Sequence, residues 1–168
     1  MTRLRHWWLA VTTLPLLIFN PYLRSLLFGM RTFCRSLPDA LRGPLLPALQ
    51  NLTPNVSRIT YSVSDTRHAI RDTDERTLRQ LADIAALLDL RSSLGLCLRR
   101  SLTRYHFLRR VGVPVVLQFG AKFVAGKPDR EVTGHAWLTL NDEPYYEADE
   151  NWRGFVVMLS FPSDSNSQ

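Results

Sequence analysis

The stretch Leu96-Cys97-Leu-Arg-Arg-Ser-Leu-Thr-Arg-Tyr-His-Phe-Leu-Arg-Arg-Val-Gly112-Val-Pro114-Val-Val-Leu-Gln-Phe119 contains the change of period that decides the fold. Leu98, Leu102, Tyr105 and Leu108 recur at helical spacing, and Gly112 followed by Pro114 stops a helix in the expected order. Past Pro114 the residues Val115–Phe119 read as a strand. Working upstream, Asp72, Asp74 and Glu75 favour a helix N-terminus, and Leu78, Leu81, Ala85 and Leu88 form one face of a helix ending near Leu90. Downstream, Ala136–Leu140, a turn over Asn141–Pro144, Tyr145–Ala148 and Phe155–Leu159 read as strands. Helices first and strands after, with hairpin-length connections, predict an α+β fold whose helices pack on an antiparallel sheet.

The chain has 168 residues, of which 45% are hydrophobic, enough for one domain with a real core and incompatible with a long disordered protein. Its formal charge of +6 is modest for a nucleic-acid binder, and no nucleic-acid partner is expected. Residues 1–50 hold six arginines (Arg3, Arg5, Arg24, Arg31, Arg35, Arg42) and one acid, Asp39. The 18 residues His6–Leu23 carry no Arg, Lys, Asp or Glu, but Pro15 and Asn20-Pro21 interrupt them and no Ala-x-Ala cleavage signal follows. They predict two short amphipathic helices that pack on the domain, a partner or a membrane surface, so residues 1–36 are a candidate peripheral membrane contact. Pro38, Gly43, Pro44, Pro47 and Pro54 mark residues 37–56 as a connector. The expected organisation is a basic helical region with connector over 1–56, a core over 57–162 and a polar tail over 163–168. Two cysteines, Cys34 and Cys97, are too few for a disulfide framework and suit a reducing cytosol.

Cys97 falls in the first turn of its helix, beside Arg99 and Arg100; both the helix terminus and guanidinium charge favour the thiolate, the competent nucleophile. The competing reading is an ordinary buried thiol. Among His6, His68, His106 and His135, His106 lies on the same helix half a turn away and about 13 Å further along its axis, which excludes it as a base for Cys97. His135, opening the strand Gly134-His-Ala-Trp-Leu, can face the helix start. Its orienting carboxylate would come from Glu147 or Asp149 on the return strand. A three-residue loop at 141–143 turns both toward His135, and a two-residue loop at 142–143 turns them away. Cys34 reads as structural, Trp137 as core, and the arginines 99, 100, 104, 109 and 110 as a solvated face. No Cys, His or carboxylate pair has metal-ligand spacing and no glycine-rich phosphate loop occurs, so neither metal nor cofactor is expected.

The blocks Cys97-Leu-Arg-Arg-Ser-Leu, Leu108-Arg-Arg-Val-Gly-Val-Pro, Leu117-Gln-Phe-Gly-Ala-Lys and Gly134-His-Ala-Trp-Leu resemble, in order, the transglutaminase-like cysteine peptidases that remove leader peptides in lasso peptide biosynthesis. The resemblance covers roughly residues 90–150 and implies a papain-like, transglutaminase-like core. It implies Cys97 as nucleophile, His135 as base and Glu147, in place of the family's usual Asp, as third member, with Asp149 the alternative. Trp137 falls beside the active site in that pattern. It further implies a precursor peptide cut between leader and core, delivered by a separate leader-binding protein, with a lasso cyclase as a further candidate partner. An acyltransferase using the same triad, and a non-catalytic docking scaffold, are the alternative functions.

Overall fold

The computed structural model describes residues 20–54, 75–123 and 132–162. Helix α1, Pro21–Ala40, starts where Asn20 accepts the amides of Tyr22 and Leu23 on its side chain, with Pro21 at the first helical position. Its buried stripe is Leu23, Leu26, Met30, Cys34 and Leu37, and the first four of these enter one cluster with Leu78, Leu81, Ala82, Ala85, Ala86 and Phe107. The N-terminal region therefore packs on the domain through one 20-residue helix rather than a short one. Residues 1–19, which carry the rest of that expectation, and the tail 163–168 lie outside the described residues.

The stretch read as a connector is largely helical: α1 runs through Pro38 to Ala40, and helix α2 spans Leu45–Leu52. The prolines misled because Pro44 precedes α2 and Pro47 lies in its first turn, where a missing amide hydrogen leaves no intrahelical bond unmade. Helix α3 is Glu75–Leu88; Leu78, Leu81 and Ala85 are buried as the spacing predicts, whereas Leu88 is exposed. Asp72 and Asp74 lie outside the described residues.

Helix α4, Leu96–Arg110, buries Leu102, Tyr105 and Leu108, and Leu98 is half-buried. It ends with Gly112 at φ +91, the amide of Val113 bonding the carbonyl of Leu108 and that of Gly112 the carbonyl of Arg109, the paired closure that glycine permits. Its arginines are not a solvated face. Arg99 and Arg104 are each 7% exposed: Arg99 donates to the carbonyls of Leu94, Ala86 and Asp89, while Arg104 forks onto Asp83 at 2.7 and 2.6 Å. These contacts satisfy end carbonyls of α3 and fix α4 against it.

The sheet comprises β1 Val116–Phe123, β2 Val132–Leu140, β3 Glu143–Pro144 and β4 Val156–Phe161, in the order β3-β2-β1-β4 with every pair antiparallel. A four-residue helix, α5 Asp149–Trp152, lies between β3 and β4. Leu102, Tyr105 and Leu108 of α4 meet Leu117, Leu138 and Phe161 of the sheet in a second cluster. The architecture is α+β, five helices among the described residues packed against the four-stranded sheet.

The hairpin differs from both registers expected of it. Leu140 pairs with Glu143 around Asn141 and Asp142, which take φ of 51 and 65 in a two-residue turn. The return strand then stops at Pro144; Tyr145 donates its amide to Leu138 at 2.8 Å, and Tyr146, at φ 51, turns the chain away.

Candidate active site

The strand stops because the next rung of β2 is already taken. Ser101 of α4 donates its hydroxyl to the carbonyl of Ala136 at 2.8 Å, and the sulfur of Cys97, one turn earlier, is held by the amide of the same residue. The start of α4 thus occupies the edge of β2 where the hairpin register would have set residue 147 opposite Ala136. No side chain caps α4, whose N-cap is Gly95, and of its first-turn amides that of Leu98 is directed at the Cys97 sulfur.

His135, adjacent to Ala136, meets the Cys97 thiol and also approaches Glu147, with Nε2 3.8 Å from Oε1. That separation is an ion-pair distance, too long for a hydrogen bond. Nε2 is buried without a hydrogen-bond partner and faces the carboxylate. The ring stacks on Trp137 at 5.8 Å between centroids and packs against Phe155 at 5.4 Å. Trp137 is only 3% exposed, so the core reading and the active-site placement both describe it. Its own ring lies over Gly120, where an added Cβ would come within 2.7 Å of it.

Glu147 reaches this point from the Tyr145–Tyr146 corner, over which the Arg79 guanidinium sits, 3.1 Å from the Tyr146 ring centroid. Its carboxylate is 2% exposed. Nη2 of Arg100 donates to both oxygens at 2.6 Å, and Nδ2 of Asn151 donates to Oε1 at 2.7 Å. Sequence reasoning misplaces Arg100, expected on a solvated face with its charge acting on Cys97. Its guanidinium goes to Glu147 and that of Arg99 to carbonyls around the end of α3, and the Cys97 shift comes from His135 and backbone amides instead. Asn151 carries no sequence signal.

The electrostatics follow from these contacts. Burial acts most strongly on Glu147 and would raise its pKa, but His135, Arg100 and Asn151 together outweigh it and bring the carboxyl down to about 2. His135 is raised to about 9, by the Cys97 sulfur first and Glu147 second. The Cys97 thiol is lowered, principally by His135 and against the opposing effect of burial, with the amides of Ala136 and Leu98 assisting. The shifts on Cys97 and His135 favour thiolate with imidazolium over the neutral couple, and the two titrate as a pair.

The other candidates are elsewhere. Asp149 is exposed and pairs with Arg153 at 2.7 Å on the surface. His106 Nδ1 meets the carbonyl of Leu52 at 2.7 Å and its ring stacks on Phe33, with its pKa lowered by burial. Cys34 is fully buried with Sγ 3.0 Å from Thr103 Oγ1, and burial raises its pKa. His6 and His68 lie outside the described residues. Among the described residues no group of His, Cys, Asp or Glu could hold a metal ion, and no helix is long and apolar enough to cross a membrane.

Comparison with curated proteins and with solved structures finds no match. Comparison with protein families matches residues 41–160 to the transglutaminase-like superfamily, a span that contains Cys97, His135 and Glu147 and whose chemistry is of the cysteine-protease or acyltransferase type. The chain belongs to the transglutaminase-like superfamily.

Proposed function

We propose that this protein is a cysteine peptidase that removes the leader from a ribosomally made, lasso-type precursor peptide. The observation that carries the reading is the Cys97–His135 pair with the Glu147 carboxylate behind the imidazole. The ordered sequence blocks around these residues support the choice of substrate. In this reading the Cys97 thiolate attacks the scissile carbonyl, and backbone amides at the start of α4 hold the oxyanion. His135 gives its proton to the leaving amine, then takes one from the water that opens the thioester, which returns the free thiol and releases the carboxylic acid. Glu147 orients His135 and stabilises its charged form.

A separate leader-binding protein delivers the precursor, and a lasso cyclase takes the released core. Contact with a membrane through residues 1–36 would, among the described residues, fall to the exposed Tyr22, Arg24, Phe28 and Arg35, since the apolar stripe of α1 is buried in the domain.

The test is incubation of the chain with precursor peptide and leader-binding protein, read by mass spectrometry. One cut between leader and core is expected, and none with Cys97→Ala. A product joined to an added amine would favour the acyltransferase reading, and full maturation with Cys97→Ala the scaffold reading.

A further inference from the structure

The charge pairing inside the site points to a residue beyond the triad. Arg100 lies one helical turn after Cys97, so a single face of α4 presents Cys97 to His135, Ser101 to the strand carrying His135, and Arg100 to Glu147. The Glu147 side chain is buried, and a carboxylate in that position without cationic or hydrogen-bonding partners would favour its protonated form. Arg100 meets both oxygens with one nitrogen, Asn151 takes Oε1, and Oε1 is the atom that faces His135 Nε2.

We infer that Arg100 is a positioning residue: it holds Glu147 ionised and aimed at His135, and so acts on the Cys97–His135 pair only through that carboxylate. The inference rests on the triad reading above. Among the described residues the charged or titratable groups facing Glu147 are Arg100 from α4 and His135 from β2, and α5 adds the neutral Asn151. Cys97 faces His135 from α4, and Lys122 of β1 lies 4.3 Å from the ring of Phe155, which packs on His135. Among the described residues Lys122 makes no ion pair with the carboxylate, so His135, the group Glu147 serves, is the one other cation that reaches it.

Alkylation of Cys97 by iodoacetamide across pH tests this in the full chain without any peptide substrate. The variants are Arg100→Gln, Arg100→Lys, Glu147→Gln and the double variant Arg100→Gln/Glu147→Gln, each checked for native circular dichroism. Glu147→Gln is expected to move the acid limb up by about one pH unit, which slows alkylation about tenfold on that limb. Arg100→Gln is expected to reproduce most of that shift. Arg100→Lys, which returns a donor where one nitrogen already served both oxygens, should stay within about threefold of wild type. The double variant should be no slower than Glu147→Gln alone, the non-additivity of a residue acting through its neighbour.

A wild-type profile for Arg100→Gln beside a shifted Glu147→Gln, or a double variant slowed by the product of the single effects, overturns the inference and leaves the triad standing. A profile unmoved by Glu147→Gln overturns the triad reading and the inference with it. Should Arg100→Gln fail to fold, comparison of Glu147→Gln with the double variant decides: equal rates support the inference, and a slower double variant overturns it.

Discussion

Ser101 Oγ donates to the carbonyl of Ala136 at 2.8 Å while the Cys97 sulfur takes the amide of that same residue, so two side chains one turn apart on α4 dock a single rung of β2. The residue before that rung is His135. The distance between nucleophile and base is thereby set by a backbone contact. Ser101→Ala leaves a buried carbonyl unpaired, which costs about 1–3 kcal/mol. Lower thermal stability and slower alkylation of Cys97 are expected together; a stability loss with an unchanged alkylation profile would separate the docking from the chemistry.

The pH dependence has two limbs with different owners. Thiolate forms as pH rises through the lowered Cys97 value, so alkylation should rise there and hold its plateau at higher pH. Peptide cleavage also needs the imidazolium proton for the leaving amine, so it should fall as pH passes about 9, where His135 loses that proton. Parallel measurement of both profiles checks this, and a cleavage profile flat through that region contradicts it.

Glu147 and Asp149 should part sharply on substitution. Loss of the orienting carboxylate has cost about 10⁴-fold in a serine-protease triad, the upper bound for Glu147→Gln here. Asp149→Asn touches only an exposed pair with Arg153, worth less than about 1 kcal/mol, and should leave turnover within a few-fold. Steady-state kinetics on both variants decides; a reversed ranking would move the carboxylate role off the buried position.

Acid stability follows from the same carboxylate. The Glu147 pKa falls from an ordinary 4.5 to about 2 on folding, so its contribution to stability is present above 4.5 and is lost as pH falls toward 2. Denaturant titrations should show wild type losing its advantage over Glu147→Gln across that interval. An advantage that persists unchanged to the acid end of the interval would contradict the assignment.

Gly120 is the position where Trp137 comes too close for a side chain. Gly120→Ala should push the indole off its stack with His135, with a stability cost of about 1–3 kcal/mol and a loss of activity. Tryptophan fluorescence and cleavage rate measured together check the coupling; an unchanged rate would show that the stack is dispensable.

Much of this was legible because periodicity is local. The helix that begins beside Cys97 and is stopped by Gly112 could be read from spacing and stop signals, and so could the later part of the strand that carries His135, which starts at Val132 rather than at His135. The delivery of Glu147 could not, because it depends on which backbone edge is vacant: the hairpin yields its third rung to α4, a relation between segments about 40 residues apart. The arginines failed for a related reason. Helical spacing says which face a residue occupies but not that Asp83, end carbonyls of α3 and Glu147 stand opposite Arg104, Arg99 and Arg100. Prolines 44 and 47 misled because the same residue that interrupts a helix also begins one.

The short β3 has a consequence for the chain's behaviour in company. An extended segment with bare amide and carbonyl groups is a template for pairing with another molecule. Here the groups of Ala136 are covered by a cysteine and a serine rather than by a strand. Withdrawal of the start of α4, Cys97 and Ser101 together, therefore opens a sticky edge at the same moment that it dismantles the nucleophile, so colloidal stability and chemical competence rest on the same pair of contacts.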